Sequence, residues 1–113
     1  MRIEKFGVYI ADLNPHYGTE PGKKRPVVVV QTDLLNDVHP STIICPISTK
    51  IAPKAEILRI HLELKSAGLK RASDVLVDQL RSIDNKKFLE QRGILSAKNQ
   101  RQLLESLKIL LLE

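Results

Sequence analysis

The sequence predicts an α+β fold: a small, strongly bent antiparallel sheet or barrel with helices appended, the last of them C-terminal. Three observations lead there. Strand-like runs rich in Val, Ile and Thr, parted by Gly, Pro and Asn turn signals, fill the chain to residue 83. Beyond that point the apolar spacing turns helical. The 113 residues hold no repeat, low-complexity tract or interior linker, so they form one domain, 1–113, with one core.

The elements follow in order. Val8 to Leu13 (VYIADL) alternates as a short strand, and Asn14 to Pro26 (NPHYGTEPGKKRP) reads as a turn-rich loop. Val27 to Gln31 (VVVVQ) does not alternate, which suits a central strand covered on both faces. Asp33 to Ser41 is a connection with one helical turn. Thr42 to Thr49 (TIICPIST) is a strand in which Pro46 demands a bulge or an unpaired edge position. Glu56 to Glu63 (EILRIHLE) sets Leu58, Ile60 and Leu62 on one face, and Val75 to Ile83 (VLVDQLRSI) reads as one strand. Asp84 can cap a short helix through Glu90 that Gly93 stops. Ser96 can cap a longer one carrying Leu103, Leu104, Leu107, Leu110 and Leu111 at helical spacing. From Ile109 to Leu112 that helix is apolar on almost every side, a surplus that implies burial in a homodimer.

Composition bounds the function. Eighteen Lys and Arg against 13 Asp and Glu give a net charge of +5, which points weakly to a polyanionic partner such as nucleic acid. The single cysteine, Cys45, excludes an internal disulfide and fits a reducing cytoplasm. Glu4, Lys5 and Asp12 interrupt the N-terminus, so no signal-peptide core forms. No apolar run approaches the ~20 residues of a membrane helix, so no membrane partner is expected.

Candidate chemistry narrows by exclusion. Gly18 to Lys23 is one residue too short for a Walker loop, has Lys24 where Ser or Thr binds magnesium, and precedes a strand instead of a helix. His16, His39, His61 and Cys45 show no metal-ligand spacing, and neither metal nor cofactor is expected. Cys45 in an apolar strand reads as a small buried thiol. Arg25 then stands out at a strand mouth, with Pro26 fixing the chain direction after it. Its guanidinium suits two-point binding of a phosphate; the plainer reading is a surface arginine in a basic loop. Lys23 and Lys24 are solvated charges unless a phosphate track passes them. In a strand, Asp78 shares a face with Leu76, Leu80 and Ser82, so it needs Arg25 or Arg81 as a partner, or an edge facing water. Glu20 is by default a solvated carboxylate, Ser48 and Thr49 are turn hydroxyls bonded to nearby backbone, and Tyr17 anchors its loop or stacks on a base.

At these residues the chain resembles the MazF/PemK toxin endoribonucleases of bacterial toxin–antitoxin systems. The markers are the Gly18-x-Glu20 loop ending in Arg25-Pro26, the strand end Pro46-x-Ser48-Thr49, and Asp78-Gln79-x-Arg81. The resemblance covers nearly the whole chain. It implies an SH3-like or CcdB-like barrel that dimerises and cleaves single-stranded RNA at short sequences without metal. An acidic antitoxin occupying the groove near Lys23, Lys24 and Arg25 silences it, and operator DNA is bound through the antitoxin complex. Carried onto this sequence, the catalytic residues are Arg25 and the hydroxyl after Pro46-Ile47, which is Ser48 by ungapped alignment with Thr49 beside it. Glu20 and Asp78 match positions proposed for proton transfer or base contacts, with Tyr17, Gln79 and Arg81 beside the RNA. Another branch of the family has an arginine where this chain has Leu76, so that role does not carry over.

The residue types fit the implied chemistry. The RNA 2′-hydroxyl attacks the adjacent phosphorus and expels the 5′-oxygen, leaving a 2′,3′-cyclic phosphate and a 5′-hydroxyl. Charge gathering on the non-bridging oxygens calls for a fixed guanidinium and a hydroxyl donor, each worth ~10²–10³ in rate. Arginine stays protonated and makes a poor base, whereas a desolvated Glu20 or Asp78 can serve. Two rivals share the fold class. A CcdB-type gyrase poison acts through a C-terminal tryptophan, and this chain has no Trp. A non-catalytic SH3-like RNA-binding module needs stacking platforms, and the aromatics here are only Phe6, Tyr9, Tyr17 and Phe88.

Overall fold

Strand β1 (Gly7–Asp12) is followed by β2 (Lys24–Val29), β3 (Ser41–Ser48), β4 (Arg59–Leu62), β5 (Ser73–Leu76), β6 (Arg81–Asp84), β7 (Phe88–Ile94) and helix α1 (Ala97–Leu112). The computed structural model describes residues 1–15, 17–19, 23–52, 54 and 58–113. The strands form one antiparallel sheet in the order β4-β5-β3-β2-β1-β7, with β6 paired to β3 beside β5. The sheet is not closed into a barrel. Closure would bring the edge strands β4 and β7 together, but α1 leaves β7 directly and packs against β4.

β2 shows why a run of valines forms a central strand. It lies between β1 and β3, and Val27, Val28 and Val29 are all fully buried. Val28 joins Val8, Cys45, Ile47, Val75 and Leu103 on one face, while Val27 and Val29 join Tyr9, Ile44, Ile83 and Phe88 on the other. Helix α1 closes the first of these two layers through Leu103. Its start follows the sequence: the Ser96 side chain accepts from the Asn99 N–H at 3.2 Å.

Three expectations change. Val75 to Ile83 is not one strand; β5 ends at Leu76, Val77–Gln79 make a 3₁₀ turn, and β6 begins at Arg81. The chain thereby leaves one edge neighbour and takes up another on β3. The segment from Asp84 is a single 3₁₀ turn, Asn85–Lys87, capped by the Asp84 carboxylate on the Lys86 N–H, and Phe88–Ile94 is then a strand. Lys24 and Arg25 are not in the loop but inside β2, paired with Asp12 and Ala11. The cross-strand Asp12–Lys24 pair sets opposite charges face to face, which favours that pairing. The strand expected over Glu56 to Glu63 is seen as β4, and its first two residues lie outside the described residues.

Pro46 resolves differently from either expectation. It lies within β3, opposite Val27 of β2. The Val30 N–H donates to the Ile43 carbonyl, so the two-residue alternation makes Val27–Pro46 a non-hydrogen-bonded pair and turns the Pro46 nitrogen away from β2. On that far side β3 pairs with β6 as far as Ile44 and with β5 from Ile47. The missing N–H thus falls where β3 changes neighbours.

Candidate nucleic-acid interface

Backbone geometry fixes Arg25 before its side chain matters. Lys23 takes the left-handed conformation (φ 64°), held from both sides: its N–H donates to Asn14 Oδ1 at 2.9 Å and its carbonyl accepts from the Leu13 N–H at 2.8 Å. A non-glycine residue there costs ~1–2 kcal/mol, offset by those two bonds. The turn therefore delivers Lys24 and Arg25 directly into β2. Gly18 also has a positive φ (57°), with open space around a hypothetical Cβ, so backbone conformation alone asks for glycine.

Arg25 lies two residues before Val27 and Ser48 two after Pro46. Alternation therefore projects both from the face of the Val27–Pro46 pair. Arg81 lies opposite Ile44, which shares that face, so three adjacent strands contribute Arg25, Ser48 and Arg81 to one side of the sheet. Arg81 is half-buried, and its Nη1 is buried with no hydrogen-bond partner among the described residues. A buried, unsatisfied guanidinium N–H is costly unless an acceptor arrives. Ser48 is 8% exposed; its Oγ accepts from the Lys50 N–H at 3.1 Å, the local turn bond expected of it. Among the described residues no acceptor takes the Ser48 hydroxyl proton.

Thr49 leaves from the opposite side. It is exposed and lines a cleft of about 260 Å³ with Lys23, Lys24, Arg25, Pro26, Ile47 and Ser73. Arg25 thus borders both surfaces at the end of the strands. Tyr17 is 74% exposed beside Gly18. Asp78 is exposed on the 3₁₀ turn, not set between leucines on a strand face, and it enters no ion pair among the described residues. Gln79 is half-buried on the same turn. Glu20 lies outside the described residues.

The buried acid is Asp74, which sequence reasoning passed over. Fully enclosed, it accepts from the Ala52 N–H at 2.9 Å, Arg59 Nη1 at 3.1 Å and His61 Nδ1 at 2.7 Å. Burial pushes its carboxyl up, but the bonds from Ala52, His61 and Arg59 outweigh that and hold it below the ordinary range. Arg59 Nη1 also donates to the Lys50 carbonyl at 2.8 Å. Asp74 is paired with Ser48 across β3–β5, so this network braces the turn that leaves the Ser48–Thr49 strand end. One signal was present: Arg59 and His61 alternate with Ile60 and Leu62, a stripe of hydrogen-bond donors on a strand that calls for an acceptor on the next one. Cys45 is buried, and desolvation, with the Asp78 charge adding to it, pushes its thiol up to about 12. Among the described residues no three His, Cys, Asp or Glu side chains converge on a metal position.

The site is thus a bent open sheet with Arg25, Arg81 and a strand-end hydroxyl on one face and a lysine-lined cleft beside it. The chain belongs to the family described as PemK-like, MazF-like toxin of type II toxin-antitoxin system, which it matches over residues 4–111. It is 33% identical over 91 residues to Endoribonuclease EndoA of Bacillus subtilis (strain 168), covering 80% of this chain and 78% of that protein. The fold is that of MazF from Deinococcus radiodurans, with a TM-score of 0.82, 24% identity, and 98% and 97% of the two chains covered. A MazE-MazF structure from the same organism aligns with a TM-score of 0.75 at 24% identity over 96% of this chain and 94% of that one.

Proposed function

We propose that this chain is a sequence-specific endoribonuclease toxin that cuts single-stranded RNA without metal and is silenced by an acidic antitoxin. The observation that carries the reading is that Arg25, Ser48 and the orphaned Arg81 Nη1 lie on one sheet face, in a chain of this family. Arg25 grips the scissile phosphate by two points, and the Ser48 hydroxyl donates to a non-bridging oxygen. As the 2′-oxygen attacks phosphorus and the 5′-oxygen departs, both donors meet charge that grows in the transition state. Arg81 offers its unpaired N–H to the same polyanion, and Tyr17 and Gln79 flank it toward the bases. Glu20 or Asp78 takes the 2′-hydroxyl proton. The similarity to a MazE-MazF structure supports an antitoxin partner; its acidic segment lies over Lys23, Lys24 and Arg25, and the complex binds operator DNA. The protein works as a homodimer in the cytoplasm. Leu104, Leu111 and Leu112 stand exposed on α1, apolar surface that a second copy covers.

The test is cleavage of a long RNA with its ends mapped. Arg25→Ala loses at least ~10²-fold in rate with its fold intact, and Arg25→Lys also fails because an ammonium lacks the planar fork. Ser48→Ala falls much further than Thr49→Ala. Activity survives excess EDTA and leaves 2′,3′-cyclic phosphate and 5′-hydroxyl ends. An EDTA-sensitive activity leaving 5′-phosphates, or full activity in Arg25→Ala, would refute the mechanism.

A further inference from the structure

The cleft beside Arg25 does not end at Thr49. Pro26, Thr49 and Ser73 also line a second hollow of about 210 Å³, which continues to Lys70, Arg71 and Arg92. The two share those three residues as a common wall. Together their described walls hold Lys23, Lys24, Arg25, Lys70, Arg71 and Arg92, six of the chain's 18 Lys and Arg, and none of its 13 Asp and Glu. The far cations come from two different elements, so something has to set them side by side.

Two glycines do. Gly68 sits at φ 75° with a hypothetical Cβ 2.1 Å from the Arg92 carbonyl oxygen, and a Cβ on Gly93 would lie 2.7 Å from Ala67 backbone. The 3₁₀ turn Ser66–Gly68 is thus pressed backbone to backbone on β7. Leu69 then plugs into the core, which leaves Lys70 and Arg71 exposed on the groove side, and the Ser73 hydroxyl ties the Arg71 carbonyl at 3.0 Å. Arg92 is exposed and paired to Glu90 at 3.0 Å, a surface ion pair that a phosphate can displace at little cost.

We infer that Lys70, Arg71 and Arg92 form a second phosphate track, holding the RNA backbone several nucleotides away from the cut and continuous with Arg25 past Thr49. It rests on the RNA-cleaving reading above and extends it. Contacts of this kind position the strand without reading bases, so they set affinity and salt dependence and leave the chemical step alone.

The test uses the full chain carrying Lys70→Gln, Arg71→Gln and Arg92→Gln, all exposed positions, with 2′-O-methyl RNA oligonucleotides of graded length as uncleavable probes. Three lost contacts lower the slope of log affinity against log salt by about 2 for a single strand. Binding of long probes weakens about 10–100-fold at ~0.15 M salt and converges with wild type near ~1 M. Probes too short to leave the Arg25 region bind both proteins alike. On cleavable RNA, KM rises and kcat at saturation is unchanged. An unchanged salt slope, an equal loss at every length, or a fall in kcat alone overturns the track. If the track variant binds normally while Arg25→Ala stops cleavage, the track is wrong and the nuclease reading stands. If long probes show the loss but wild type cuts no RNA, the track stands and the catalytic reading fails.

Discussion

Asp74→Ala is the substitution that the structure makes most costly. It removes a fully buried carboxylate that the Ala52 N–H, Arg59 and His61 all address, and it leaves the Arg59 guanidinium without its anion. Breaking a buried pair by deleting one partner costs about 3–5 kcal/mol. Against a total of ~5–15 kcal/mol for a domain of this size, that is a large share. At roughly 4–6 °C per kcal/mol it lowers Tm by about 12–30 °C. Asp74→Asn retains one acceptor and loses less. The sign with pH follows from the depressed carboxyl: its stabilisation is present above the ordinary carboxylate value of 3.8 and is lost as pH falls through the lower folded value. Urea melts followed by circular dichroism, run from neutral pH down to about pH 2, measure this. The gap between wild type and Asp74→Asn closes below about pH 4. An Asp74→Ala protein within about 1 kcal/mol of wild type, or a gap that stays flat through the acid range, would show that the network contributes nothing.

Two further outcomes follow. Cys45, buried with its thiol pushed up to about 12, stays unmodified by a thiol reagent at mildly alkaline pH and reacts fully once urea unfolds the chain; fast labelling of the native protein would contradict its burial. Light scattering reports a dimer at micromolar concentration, and replacing the exposed Leu111 and Leu112 by Gln shifts it toward monomer without a loss of Tm; a wild-type monomer throughout that range refutes the dimer.

Much of the fold was legible because burial writes directly into composition. The unbroken valines at 27–29 need two covered faces, and β2 has them; Ser96 caps α1 as its position before the helical pattern requires. What failed did so for physical reasons. From Val75 to Ile83 the side chains all favour extended backbone, and only tertiary pairing decides that β3 takes β5 and then β6, with a turn between them. Read as strand, that segment set Asp78 on a face with leucines, needing a partner or an edge facing water; Asp74, just before it, drew no notice because its partners lie thirteen and fifteen residues away. Arg25 was legible as a residue, but its frame was not. No local rule foretells that Lys23 will take a left-handed conformation, because Asn14 and Leu13 hold it there from across the turn. Lys70, Arg71 and Arg92 lie on separate elements and converge only through two glycine contacts.

Pro46 has a consequence for fidelity. A strand that serves two successive neighbours is exposed to sliding, since either β5 or β6 could lengthen its ladder by a residue at the other's expense. A one-residue slip would carry every side chain it shifts to the wrong side of the sheet. Turned toward that contested gap, position 46 offers a carbonyl but no hydrogen, so a neighbour advancing onto it gains only one of the usual two bonds. The proline works as a boundary stone between two territories, and Ser48, two residues beyond it, keeps its address opposite Asp74 because little rewards crossing the line.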